Sequence, residues 1–339
     1  MTRRIRLGLL GAAAAVALAL GATALAAYTT PKLTVSQKGA ETTIAATVAP
    51  ADDATARATI YAPTGIQVTL SQAPGTKLGR AQAQAAALDL GGALLPLEGD
   101  VIVAPPGAVP AAVQTACTQG QAPAATWLMN LQAAGQPLTI PVFVVLTSGT
   151  EAALGPAKLI VCLGPPDVPA GTPGRAAFGA KLTNATLTLT GVFGPSPLAP
   201  WIAIWTPYAA GTGQANAAGT VASPSVIAPG ALTLARRVSG PRTILTGRAT
   251  QAQTGLSTRV AVFAGRTRTS LRLIGNVPTR ANGSYTFTTR NRGPFFRTRI
   301  ILSNRDAPQL CQALGAQLPV PCVNSTVSGF TALSRIVRR

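Results

Sequence analysis

The side chains in this chain that can do chemistry are arginines, nine carboxylates, four cysteines and one close pair of tryptophans; histidine is absent. That absence excludes Ser-His-Asp and Cys-His catalysis, histidine metal sites and the usual general base near neutral pH. Neither G-x-S-x-G nor S-x-x-K occurs, so the common acyl-transfer motifs are missing as well. Catalysis would have to rest on carboxylates alone, as glycoside hydrolysis can. Glu98 and Asp100 are spaced to share a strand face, and Asp52-Asp53 falls between two expected strands. No D-x-D-x-D-G calcium loop accompanies them. The expectation is a protein that is not an enzyme and takes no cofactor or metal, with a carboxylate-dependent hydrolase of glycosidase type as the alternative.

The arginines are unevenly placed. Residues 27–235 carry eight basic and eight acidic groups and are neutral. Residues 236–339 carry seventeen arginines, no lysine and one acid, Asp306, a net charge of +16. A GC-rich genome explains arginine in place of lysine, but not the loss of acids from one half. Such asymmetry implies an anionic partner. Arg266 with Arg268, Arg290 with Arg292, and Arg297 with Arg299 are each two residues apart on or near expected strands, so each pair shares a face. If the faces adjoin, six guanidinium groups form one patch able to chelate phosphate or carboxylate. The partners expected are an anionic cell-envelope polymer or lipid head groups. Nucleic acid is an alternative, because Tyr285, Phe295 and Phe296 stand near these arginines as stacking candidates.

Aromatic residues are only 4% of the chain, which argues against an extended sugar-stacking platform. The exception is Trp201-Ile202-Ala203-Ile204-Trp205. On a strand, Trp201 and Trp205 share one face and the isoleucines the other. If the isoleucines face the core, the two indoles are surface aromatics available to a partner. Cysteines Cys117, Cys162, Cys311 and Cys322 imply two disulfides in an oxidising compartment. Of the three pairings, Cys117–Cys162 with Cys311–Cys322 keeps each bond inside one half and is the one expected.

The elements that must carry these groups read as strands. Short β-branched segments alternate with Gly/Pro clusters, the pattern of an all-β sandwich. Expected strands include Thr42–Val48, Ile66–Leu70, Thr139–Leu146 and Thr186–Phe193, with a hairpin around Gly91-Gly92. In the basic half they include Arg242–Arg248, Thr258–Phe263, Leu271–Ile274, Ser284–Thr289 and Arg297–Leu302. Asn282-Gly283 signals a turn, and Tyr285 and Phe287 should face a core. Helix is expected at Arg80–Ala87, from its alanines, and at Gln309–Leu314. Leu163–Gly174 and Ala209–Gly230 read as linkers.

The first residues carry Arg3, Arg4 and Arg6, an apolar run from Leu7, and Ala24-Leu25-Ala26. This is the pattern of a bacterial secretory signal cleaved after Ala26 or Ala27, with an uncleaved membrane anchor as the minority reading. The protein is expected outside the cytoplasm, secreted or at the cell surface. The division expected is a signal peptide over 1–26, a neutral β-sandwich over 27–225 and an arginine-rich β-sandwich over 226–339.

The run Gly283-Ser284-Tyr285-Thr286-Phe287, followed by Phe295-Phe296-Arg297-Thr298-Arg299-Ile300-Ile301-Leu302, resembles the carboxypeptidase-regulatory, transthyretin-like and Ig-like modules of exported bacterial proteins. The resemblance spans about residues 236–305 and implies an Ig-like or transthyretin-like sandwich serving as a spacer or adhesion unit, with no catalytic residues. The N-terminal part resembles β-rich exported proteins of actinobacteria with no assigned function.

Overall fold

The computed structural model describes residues 28–133, 135–290 and 293–338. The expected signal peptide and its cleavage site lie outside the described residues. The fold is all-β, with 51% of the described residues in strands and 9% in helix.

The first part contributes eleven strands: β1 (Lys32–Lys38), β2 (Glu41–Thr47), β3 (Thr55–Tyr61), β4 (Lys77–Ala87), β5 (Ala93–Val103), β6 (Ala125–Ala133), β7 (Gln136–Leu146), β8 (Ala157–Cys162), β9 (Ala180–Thr190), β10 (Pro200–Pro207) and β11 (Val221–Val226). A short helix, α1 (Ala111–Thr118), follows β5. The second part contributes β12 (Gly230–Leu232), β13 (Ala235–Ser239), β14 (Arg242–Gln251), β15 (Thr254–Gly255), β16 (Arg259–Gly265), β17 (Arg272–Pro278), β18 (Ser284–Thr289) and β19 (Phe295–Leu302). Then come β20 (Arg305–Asp306), helix α2 (Pro308–Leu314), β21 (Thr326–Val327), β22 (Phe330–Leu333) and β23 (Val337–Arg338).

Strands β1 to β11, with β21 and β20, form one sheet in the order β1-β2-β9-β4-β5-β6-β7-β8-β3-β10-β11-β21-β20. The sheet rolls until β1 meets its far side. The Val35 N–H donates to Ser225 Oγ at 3.0 Å, and Thr326 Oγ1 donates to the Leu33 carbonyl at 2.7 Å. Every one of the eleven strands sends side chains into one core, from Leu33 on β1 to Trp127 on β6 and Val221 on β11. Where a two-sheet sandwich was expected, one continuous hydrogen-bonded sheet encloses the core. Large twisted sheets curl in this way because right-handed twist accumulates from strand to strand.

The second part has two layers. One holds β12, β13, β14, β15 and β18; the other holds β16, β17, β19, β22 and β23. They face each other across Leu245, Tyr285 and Phe287 from the first and Val260, Val262, Phe296 and Ile300 from the second. Ser284–Thr289 is a strand as expected, with Tyr285 and Phe287 turned to that core. Gly283 enters it at φ +80, the left-handed turn geometry that Asn282-Gly283 signalled.

Four of the expected segments need correction. Lys77–Ala87 is a strand, not a helix at Arg80–Ala87, because it is held between β5 and β9; tertiary pairing overrides alanine's helix propensity. Ile66–Leu70 forms only an isolated bridge, Val68 with Phe193. Leu163–Gly174 is no linker but a compact loop, closed by the Ala176 N–H on the Pro165 carbonyl at 3.0 Å. Arg175 clamps it to Asp89 through two hydrogen bonds of 2.8 and 2.6 Å. It covers an apolar cavity of about 350 Å³ at one end of the rolled sheet, lined by Leu95, Leu97, Leu138, Ile140 and Phe178. Ala209–Gly230 likewise contains β11, whose first five residues are buried.

The chain does pass from one part to the other just after Val226. The division 27–225 and 226–339 fails further on, however, because β20 and β21 return to the first sheet. Leu314, Leu318 and Val320 pack on Tyr61, Ile202 and Ala222 of the first part, and Lys32 binds Asp306 at 2.7 Å.

Candidate anion-binding face

Strand β19 alternates. Phe296, Thr298 and Ile300 are buried, while Arg299 and Ile301 are exposed and Phe295 and Arg297 half-buried on the opposite face. Arg297 and Arg299 therefore share the outward face, as their spacing predicts. In register, Phe263 of β16 stands beside Arg297, and Leu273 of β17 lies beyond Phe263. Arg299 lies between Ala261 and Leu333.

Cation–π contacts hold this face together. Arg299 lies 5.1 Å from the Phe263 ring centre, and Arg268 and Arg338 lie 5.9 and 5.8 Å from that of Phe295. A ring contact of this kind is compatible with a guanidinium keeping donors for an anion. Arg297 Nε is buried and has no hydrogen-bond partner among the described residues. The only acid of residues 236–339, Asp306, is taken by Lys32, so no side-chain carboxylate of this half is left to neutralise the face.

Of the six expected arginines, Arg268, Arg297 and Arg299 meet on this face. Arg266 stands just past β16, in a cleft with Ser270, Arg272 and Pro294. Arg290 follows β18 and so leaves the other layer. Arg292 lies outside the described residues. Among the described residues, the contacts and register join only Arg268, Arg297 and Arg299 of the six to this face, while Arg290 lies just after β18 in the connection toward β19. Arg338 was missed. It joins through β23, where it pairs with Phe295; two residues of strand at a chain end leave no periodic signal.

Trp201 and Trp205 are not surface aromatics. Their exposures are 0% and 1%. Both point into the rolled sheet, where Trp201 meets Phe193 edge-on at 4.9 Å and Trp205 Nε1 donates to Ser223 Oγ at 2.7 Å. Ile202 and Ile204 point outward, but α2 and the residues after it cover them. Strand β10 is central and covered on both faces, so either face can be apolar.

The cysteines stand as expected, Cys117 bonded to Cys162 and Cys311 to Cys322. The carboxylates are mostly occupied by structural partners. Asp100 pairs with Lys77 at 2.7 Å, and Asp52 accepts from the Thr30 N–H at 3.0 Å. Glu98 lies in register between Gln82 and Gln132. Glu151 binds the buried Lys158 at 2.6 Å and accepts from the Tyr61 hydroxyl at 3.1 Å. Burial pushes Glu151 up, but the Lys158 ammonium and the surrounding donors bring it below its ordinary value. Among the described residues no cluster of His, Cys, Asp and Glu is fit for a metal ion, and no helix is long and apolar enough to cross a membrane.

No protein-family model, curated protein or solved structure matches this chain.

Proposed function

We propose that this chain is an exported, non-catalytic binding or structural protein of the bacterial cell envelope, held by its basic half on an anionic polymer or surface. The observation that carries this reading is the outward face of β16 and β19, where Arg268, Arg297, Arg299 and Arg338 gather around two phenylalanines in a half whose one carboxylate is engaged elsewhere. Disulfides on both sides of the chain fit an oxidising compartment. The hydrolase reading draws less support: Glu98 and Asp100 do line one cleft, but Asp100 is paired there with Lys77.

Retention of the purified protein on isolated cell envelope and on a soluble anionic polymer tests the reading. Binding is expected at low salt and should weaken steeply as salt rises, because exposed charges at about 0.15 M are screened beyond about 8 Å. Salt-independent retention, or none, would overturn it.

A further inference from the structure

The outward face of β17, β16, β19 and β22 is cationic and apolar at once. Leu273, Ile301 and Leu333 are 54%, 63% and 52% exposed. They lie among Arg297 and Arg299 in adjacent register positions across the four strands. At sheet spacing these strands make a face about 14 Å wide.

The partner must have a use for both kinds of side chain. A hydrated anionic polymer engages the arginines but gains little from three exposed aliphatic chains. Nucleic acid would need open rings to stack on. Here Phe295 is flanked by Arg268 and Arg338 and Phe263 by Arg299, while Tyr285 and Phe296 are buried in the core. An anionic lipid surface uses everything on the face. Its phosphates meet guanidinium groups, and its head-group boundary receives the aliphatic chains. Residues 236–305 contain no Asp or Glu to repel it.

We infer that this face docks flat on an anionic phospholipid bilayer, with Arg268, Arg297, Arg299 and Arg338 on the phosphates and Leu273, Ile301 and Leu333 entering the head-group boundary. The inference rests on the anion-binding reading above and narrows its partner.

Binding of the chain without its expected signal peptide (residues 1–26), read by co-sedimentation for vesicles and by a solution titration for the polymer, separates the two. The probes are phosphatidylglycerol/phosphatidylcholine vesicles, pure phosphatidylcholine vesicles and soluble polyphosphate. The key variant is Leu273→Ser with Ile301→Ser and Leu333→Ser, with Ile301→Ser alone as the milder version should the triple variant misfold. The expected result is binding to anionic vesicles and not to phosphatidylcholine, with the triple variant weakened about tenfold or more on vesicles and unchanged on polyphosphate. Equal binding of wild type and variant to anionic vesicles would overturn the bilayer assignment and leave the anion reading standing. Polyphosphate binding without vesicle binding would do the same. Failure on both probes would remove both readings.

Discussion

Lys158 and Glu151 show how a single buried charge is made tolerable. The Lys158 side chain is 5% exposed and Glu151 retains 34%, so removing the carboxylate strands an ammonium in a largely apolar setting. Glu151→Gln should cost about 2–3 kcal/mol at neutral pH, the lower end for a broken buried pair because Glu151 is partly solvated. The Lys158 ammonium and the neighbouring donors hold the folded-state pKa of Glu151 below its ordinary value. Its contribution is therefore complete above the unfolded pKa and is lost as pH falls through the folded one. Urea midpoints of wild type and Glu151→Gln should differ at pH 7 and converge toward pH 3. A constant gap would show that the pair's charge is not what stabilises. The tryptophans give a second check at this scale. All three, Trp127, Trp201 and Trp205, are at most 1% exposed, so emission should be blue-shifted and weakly quenched by iodide. Trp201→Ala should cost about 3–5 kcal/mol.

At the scale of elements, β19 turns a spacing of two residues into a function-bearing face. Arg297→Gln with Arg299→Gln should weaken retention on anionic polymer much more than Arg237→Gln with Arg242→Gln. The second pair is exposed on the opposite layer, on β13 and β14, and removes the same charge. Equal losses would mean that net charge acts without geometry. The Cys117–Cys162 bond ties α1 to the end of β8 across a separation of 45 residues. In the chain-entropy account it contributes about 4 kcal/mol. Cys117→Ser with Cys162→Ser should lower the urea midpoint accordingly, and more than Cys311→Ser with Cys322→Ser, whose 11-residue separation is worth about 3 kcal/mol.

For the whole molecule, the decisive feature is the return of residues 305–327 to the first sheet. They complete its edge, cover Ile202 and Ile204, and bring Asn324 Nδ2 to the Thr29 carbonyl at 2.8 Å. Where the chain leaves β11 and β21 for the second part, Gln251 Nε2 of β14 donates to the Ala228 and Ser328 carbonyls, both at 2.9 Å. A fragment of residues 28–228 should therefore be markedly less stable than the intact chain and should bind an apolar dye at its uncovered β10–β11 face. A fragment as stable as the intact chain by urea titration would show that the return is dispensable.

Local chemistry carried much of this in the sequence itself. Strand content, the turn at Asn282-Gly283, the inward Tyr285, the shared face of Arg297 and Arg299, and α2 all follow from dihedral preference and period-two alternation, which act within a few residues. The missing acids of the basic half are likewise written in composition. Tertiary structure decided what local preference leaves open. It made Arg80–Ala87 a strand because neighbours on both sides hydrogen-bond it. It buried Trp201 and Trp205 because β10 is covered on both faces, a fact set by segments a hundred residues away. It brought Arg338 and Arg268 to the same Phe295 ring, since which strands become neighbours depends on the order of the whole sheet and not on the spacing within any one of them.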